Sequence, residues 1–153
     1  RHPERTNYIK DDLKRNGIDS SIIKNNSQLS KRVLILNTFG EMGFYFSISD
    51  IVFLGGSLVN KGGHNPIEPA SNNCAIIVGP YIYNWENIYK DMENFGACLV
   101  FKNINEIENS LENIYNDTKK MNILKLKAKN FSQKKFFKKK IIYDIINKLI
   151  LDR

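Results

Sequence analysis

An α/β fold, with a parallel sheet and helices on both faces, is the class this sequence predicts, and three observations predict it. Four short runs are apolar throughout, at residues 33–36, 51–54, 75–78 and 98–101. Continuous rather than alternating apolar strands belong to a sheet buried on both sides. Segments with helical spacing lie between them, which is the βαβ pattern. The run at 51–54 opens into the glycine-rich stretch Gly55-Gly56-Ser57-Leu58-Val59-Asn60-Lys61-Gly62-Gly63-His64-Asn65-Pro66-Ile67-Glu68-Pro69. Strand, glycine loop, helix start is the arrangement of a phosphate or nucleotide site at the carboxyl end of a parallel strand.

The elements follow in order. Residues 4–16 are predicted as a helix, with Tyr8, Ile9 and Leu13 in helical register and Gly17 to end it. A weak strand is expected at 18–23, a turn at 25–27 and a short buried strand at 33–36. A short helix is predicted from Gly40-Glu41 to Ser49, then the strand at 51–54 and the glycine loop. Pro66 suits the first turn of a helix, where its missing N–H would have no partner anyway, and that helix is drawn to Asn73. A strand at 75–78 closes on Gly79-Pro80. Residues 85–94 are predicted helical, 98–101 extended and 104–117 helical. One or two further helices fill 119–151, with Ile142, Ile145, Ile146 and Leu149 on one stripe.

A length of 153 residues fits a single domain with a sizeable core. We divide it into a core at 1–117 and C-terminal helices at 118–153. The sequence contains no run of about 18 apolar residues, so no transmembrane helix is predicted, and no signal peptide is recognised. It begins abruptly at Arg1-His2-Pro3, which reads as a piece excised after a strand. Cys74 and Cys98 lack metal-ligand spacing and read as reduced, half-buried thiols. The net charge of +7 is uneven: ten lysines and no acid lie between Thr118 and Ile142, leaving the remainder at −3. A solvated helical face is the ordinary reading of such a run. Attraction to an anionic membrane surface is the specific one, supported by Phe131, Phe136 and Phe137 among the lysines. No nucleic-acid motif accompanies the charge, so no nucleic-acid partner is expected.

Four glycines without Cβ allow close ligand approach and positive φ, so Gly55, Gly56, Gly62 and Gly63, with Ser57 among them, are candidate ligand contacts. Glu68 stands one turn into the following helix. A carboxylate there can cap the helix; equally, its two oxygens can accept from both hydroxyls of a ribose, and we favour the second role. Asn65 is a good N-cap residue, and His64 can contact phosphate or sugar or pack on the loop. With only His2 and His64 in the chain and no clustered carboxylates or thiols, no metal site and no cofactor are expected. Asn37-Thr38-Phe39-Gly40-Glu41 follows the strand at 33–36; Gly40 allows backbone approach and Phe39 can pack on a base. Because the carboxyl ends of parallel strands lie side by side, this turn and the glycine loop are expected to line one crevice. Arg1 suits a phosphate by its charge and forked geometry, and equally suits a solvated terminus.

These residues together resemble the C-terminal domain of bacterial Kdo transferases, enzymes that move 3-deoxy-D-manno-octulosonic acid from CMP-Kdo to lipid A precursors. The family's Gly-Gly-Ser-Leu-Val-x-x-Gly-Gly-His-Asn-Pro-Leu-Glu-Pro-Ala is present from Gly55 to Ala70, with Ile67 for leucine. Its Arg-His-Pro-x-Arg stands at Arg1 to Arg5. Its Asp-Thr-Met-Gly-Glu stands at Asn37 to Glu41, with Asn37 and Phe39 substituted. Its Gly-Pro-His-x-x-Asn-Phe stands at Gly79 to Trp85, with Tyr81 and Trp85 substituted. The resemblance implies the Rossmann-like C-terminal half of a GT-B fold and CMP contacts from Arg1, His2, Phe39, Gly40, Glu41, Asn65, Pro66, Ile67 and Glu68. It implies an inverting transfer whose catalytic base belongs to an N-terminal half, so residues 1–153 alone are expected to bind CMP and transfer nothing. It also implies work at the cytoplasmic face of the inner membrane in lipopolysaccharide synthesis.

Overall fold

The computed structural model describes the backbone of residues 3–23 and 32–151, and the side chains of residues 4–23 and 32–134. It divides into two compact units, residues 1–42 and 43–153, each considered by itself. The first holds helix α1 (Thr6–Arg15), entered through a 3₁₀ turn at Pro3–Arg5, and the parallel pair β1 (Ser20–Ile23) and β2 (Val33–Leu36). Ser20 pairs with Val33 and Ile23 with Leu36. Helix α1 ends because Gly17, at φ 72°, turns the chain left-handed. It packs on β1, with Ile23 and Ile35 buried beneath. Ser20, not Ile18, begins the strand. The predicted turn at 25–27 lies outside the described residues.

The second unit carries the parallel sheet β3–β4–β5, from Ile51–Leu54, Ala75–Val78 and Leu99–Val100. Its helices are α2 (Met42–Ser47, beginning on the last residue of the first unit), α3 (Ile67–Ser71), α4 (Glu86–Phe95), α5 (Ile104–Asn116) and α6 (Thr118–Leu151). The expectation of helices on both faces holds here and has a simple basis in β4. All four residues of β4 are buried. Ile76 and Val78 point into one core with Leu54, Ala70, Tyr89, Met92, Ala128 and Phe131. Ala75 and Ile77 point into the other, with Ile107, Ile114 and Leu124. That is the alternation of a strand covered on both sides. Helix α6 serves both cores, through Leu124 on one side and Ala128 and Phe131 on the other.

The helix ends explain most boundary differences. Helix α4 begins at Glu86, after a 3₁₀ turn at Tyr83–Trp85, and stops at Gly96, whose φ is 70°. Helix α5 starts on a reciprocal cap. The Glu106 amide donates to Asn103 Oδ1 at 3.0 Å, and the Lys102 amide donates to Glu106 Oε2 at 2.9 Å. Helix α6 is a single element, and the Lys120 amide donates to Asp117 Oδ1 at its start. Phe131 is buried against Phe95, with ring centroids 6.0 Å apart, so it is a core residue and not an interfacial one. Lys125 pairs with Asp50 at 2.5 Å and is mostly covered, which removes it from any solvated lysine face. Cys74 and Cys98 are fully rather than half-buried. Burial raises both thiols, Cys98 to about 12 with the Glu93 charge adding to the effect. No helix among the described residues is long and apolar enough to cross a membrane.

Candidate functional site

Strand β3 delivers the chain to Gly55, and residues 55–66 form a loop braced from beneath. Ser57 is the first brace. Its hydroxyl donates to the Leu54 carbonyl at 2.6 Å and accepts from the Gly79 amide at 2.9 Å. The Ser57 carbonyl accepts from the Tyr81 amide at 2.9 Å. The Ser57 side chain has no exposed surface. Ser57, a candidate ligand contact from sequence, is buried here and ties the end of β3 to the end of β4.

The two glycine pairs divide the work. Gly62 is at φ 78°, and a Cβ there would stand 2.5 Å from Asn84 Cγ and 2.6 Å from Tyr83 Cε2. Gly63, at φ 72°, would place a Cβ 3.2 Å from the Tyr81 carbonyl oxygen. Both are buried, so the close approach they permit is to the protein's own 81–84 segment. Two further bonds join the same surfaces: Asn84 Nδ2 donates to the Lys61 carbonyl at 3.0 Å, and the Asn84 amide donates to the Gly62 carbonyl at 3.1 Å. Tyr89, fully buried, donates its hydroxyl to the His64 carbonyl at 2.8 Å. Gly55 and Gly56 are different. A Cβ on Gly55 would meet nothing within 4 Å. One on Gly56, at φ 70°, would come no nearer than 3.7 Å to His64 Nε2 and to Lys61 Cβ. Gly55 is therefore the bare backbone that faces open space, with Gly56 in ordinary contact with His64 and Lys61, and the Gly63 amide, donating to the Gly56 carbonyl at 3.2 Å, fixes the far side of the pair.

The helix after the loop is shorter than expected. Helix α3 covers Ile67–Ser71, entered through Pro66 at φ −85° with its turn closed at Asn73, an asparagine at φ 62°. Asn65 caps it: the Ile67 amide donates to Asn65 Oδ1 at 2.9 Å. One helix-start amide is thus already engaged, and five residues sum to a small dipole. Pro66 is buried, Ile67 is half-buried in the core beside Ala70, and Glu68 and His64 are exposed. Helix α3 rests on α6.

Phe39, Gly40 and Glu41 lie in the first unit, after β2. All three are exposed, Phe39 at 71%, and Gly40 has φ 84°, which holds the turn open so that helix begins only at Met42. Arg1 and His2 lie outside the described residues. Among the described residues, no group of three His, Cys, Asp or Glu converges as metal ligands. Sequence reasoning missed Asn84, Gly79 and Tyr89 as loop supports. Gly79 supports the loop because a Cβ there would overlap the Ser57 carbonyl oxygen and stand 2.7 Å from its carbon, a contact made only by the fold.

No family model matches the chain. Curated relatives do. A 3-deoxy-D-manno-octulosonic acid transferase of Haemophilus influenzae is 34% identical over 120 residues, 76% of this chain and 28% of the relative. That of Rickettsia typhi is 36% identical over 138 residues, 89% of this chain and 29% of the relative. The chain thus spans under a third of the length of these relatives. Among solved structures, the C-terminal CMP-Kdo binding domain of WaaA from Acinetobacter baumannii superposes with a TM-score of 0.80 at 24% identity, covering 87% of this chain and 70% of that one. The fold is that of the Rossmann-like C-terminal half of a GT-B enzyme. Within that class, the chain's likeness is to the Kdo transferases, as the motif from Gly55 to Ala70 implied.

Proposed function

We propose that this chain is the donor-binding half of an inverting glycosyltransferase that takes Kdo from CMP-Kdo to a lipid A precursor. The observation that carries the reading is the braced loop, which leaves Gly55–Gly56 bare while Glu68 stands exposed one helical turn beyond. Backbone amides fixed in advance stabilise charge on a leaving phosphate without reorganising at the moment of reaction. Glu68, with two acceptor oxygens, is assigned the ribose hydroxyls. His64, Asn65, Pro66 and Ile67 shape the wall between, Asn65 and Pro66 by setting the helix start. Arg1, His2, Phe39, Gly40 and Glu41 are assigned further nucleotide contacts by the motifs they share with the family. The hydroxyl of the acceptor attacks the anomeric carbon of Kdo, CMP leaves, and the base that removes the hydroxyl proton is assigned to an N-terminal half.

The lysines of α6 that stay exposed, among them Lys119, Lys120, Lys127 and Lys129, are assigned to an anionic membrane surface, which fits work on a lipid acceptor at the cytoplasmic face of the inner membrane. Calorimetry with CMP, UMP and UDP tests the donor assignment. CMP is expected to bind most tightly, and Glu68→Gln is expected to weaken CMP more than 2′-deoxy-CMP, because only the former presents both hydroxyls. A preference for UDP overturns the Kdo reading in favour of a UDP-sugar enzyme of the same architecture.

A further inference from the structure

Lys61 has no role in the reading so far, yet the loop presents it in a specific way. Its backbone is held on both sides. The Lys61 amide donates to the Val59 carbonyl at 2.6 Å, and its carbonyl accepts from Asn84 Nδ2 at 3.0 Å. The next residue, Gly62, is locked against Asn84 and Tyr83, where no Cβ fits. An exposed lysine on so fixed a main chain loses less freedom on binding than one on a mobile loop. Its Cβ lies 3.7 Å from the point a Gly56 side chain would begin, and His64 Nε2 lies at the same distance from that point. Two cation-capable side chains thus lie beside Gly56, next to the open backbone of Gly55. The carboxylate of Glu68 belongs to the next helix, and no ion pair joins it to Lys61 among the described residues.

We propose that Lys61 is a further ligand-binding residue, which with His64 brackets the Gly55–Gly56 backbone and holds an anionic oxygen group of the nucleotide-sugar. The inference rests on the donor reading above. Two groups of such a donor have this chemistry, the phosphate of the nucleotide and the carboxylate of the acidic sugar. Lysine meets either as a compact point charge, and the bare amides supply direction.

The test is calorimetric titration of the chain with cytidine, CMP and CMP-Kdo, for the parent and for Lys61→Gln, Lys61→Arg and the control Lys90→Gln. Lys90 sits on α4 in an exposed pair with Glu86 at 2.6 Å, so its loss changes net charge equally. A charge-assisted contact predicts that Lys61→Gln weakens binding about tenfold or more, that Lys61→Arg restores most of it, and that Lys90→Gln changes little. Weakening of both CMP and CMP-Kdo with cytidine unchanged assigns the phosphate. Weakening of CMP-Kdo alone assigns the carboxylate. Equal binding of all three ligands by parent and Lys61→Gln overturns the proposal while leaving the donor reading intact. Failure of the parent to bind any of the three overturns both. Thermal unfolding of each variant at the parent's temperature shows that the loop's fold is not what changed.

Discussion

Alanine at Gly55 and alanine at Gly79 should have opposite consequences, and the structure gives both magnitudes. At Gly79 the added Cβ overlaps the Ser57 carbonyl oxygen and stands 2.7 Å from its carbon and 3.0 Å from the Leu58 nitrogen. All three are backbone atoms, which cannot swing aside as a side chain would. Relief requires the loop to lift from β4, which strains two hydrogen bonds, Gly79 N to Ser57 Oγ and Tyr81 N to Ser57 O. Overpacking costs about 1–3 kcal/mol and each of the two weakened bonds about 1 kcal/mol, so a loss of about 3–5 kcal/mol is expected. For a chain of this size that lowers Tm by about 6–20 °C. At Gly55 the new Cβ meets nothing within 4 Å, and the residue has no positive φ to strain. Stability should stay within about 0.5 kcal/mol of the parent, as for an unencumbered surface substitution. The methyl instead occupies the space assigned to the ligand. A displaced charge-assisted contact is worth about 1.5–3 kcal/mol, so the Kd for CMP should rise at least about tenfold. Differential scanning calorimetry and isothermal titration read the two quantities on the same samples. A Gly55→Ala protein that binds CMP within about twofold of the parent would show that nothing sits on that backbone, and the site would have to be sought elsewhere.

Two further outcomes are expected. Burial, with the Glu93 charge adding to it, lifts the Cys98 thiol from 9.0 to about 12, so the unfolded chain releases that proton first as pH rises. The stability tied to the neutral thiol is whole below pH 9 and is lost toward pH 12, with a slope of about 1.4 kcal/mol per pH unit. Urea midpoints between pH 9 and 10 should fall for the parent and fall less for Cys98→Ala; parallel profiles would rule out this thiol as the source. Co-sedimentation with anionic vesicles should decline as salt rises from about 0.05 to 0.5 M, since the attraction is screened over a shorter length. Lys125→Gln should leave it unchanged, because that ammonium is committed to Asp50, while Lys127→Gln/Lys129→Gln should reduce it. Salt-indifferent sedimentation would remove the electrostatic basis.

What the sequence made legible is what depends on neighbours along the chain. The all-apolar run at 75–78 announced a strand buried on both faces because four consecutive apolar side chains have no exposed side to spare. Gly17 announced a helix end because its left-handed conformation is cheap only for glycine, and Gly96 ends α4 in the same way. Asn65 announced a cap and makes one. What stayed hidden is long-range contact. Phe131 looked interfacial among lysines, and only the fold brings Phe95 to meet it. Lys125 looked like part of a solvated face until β3 brought Asp50 to it across 75 positions. Helix α3 was drawn too long because propensity says nothing of Asn73 turning left-handed after Asn72.

The glycine motif shows the same division inside one loop. Read as letters, its four glycines are equivalent, and each invites the same inference of ligand approach. In the fold they are not equivalent. Gly62 and Gly63 are glycines because Asn84, Tyr83 and Tyr81 press against them, and Ser57 is a serine because one buried hydroxyl must both donate to Leu54 and accept from Gly79. That half of the motif maintains a shape. Gly55 has no such neighbour and no positive φ, so neither packing nor backbone accounts for its missing side chain, whereas Gly56, with only ordinary contacts to Lys61 and His64, is held to glycine by its φ of 70°. A bare, fixed main chain with no internal occupant is what an anion seat requires, since its amides need no rearrangement when the charge arrives. On the proposed donor reading, the functional weight of the motif falls on Gly55 and the side chains near it, and the rest is the scaffold that holds that backbone open.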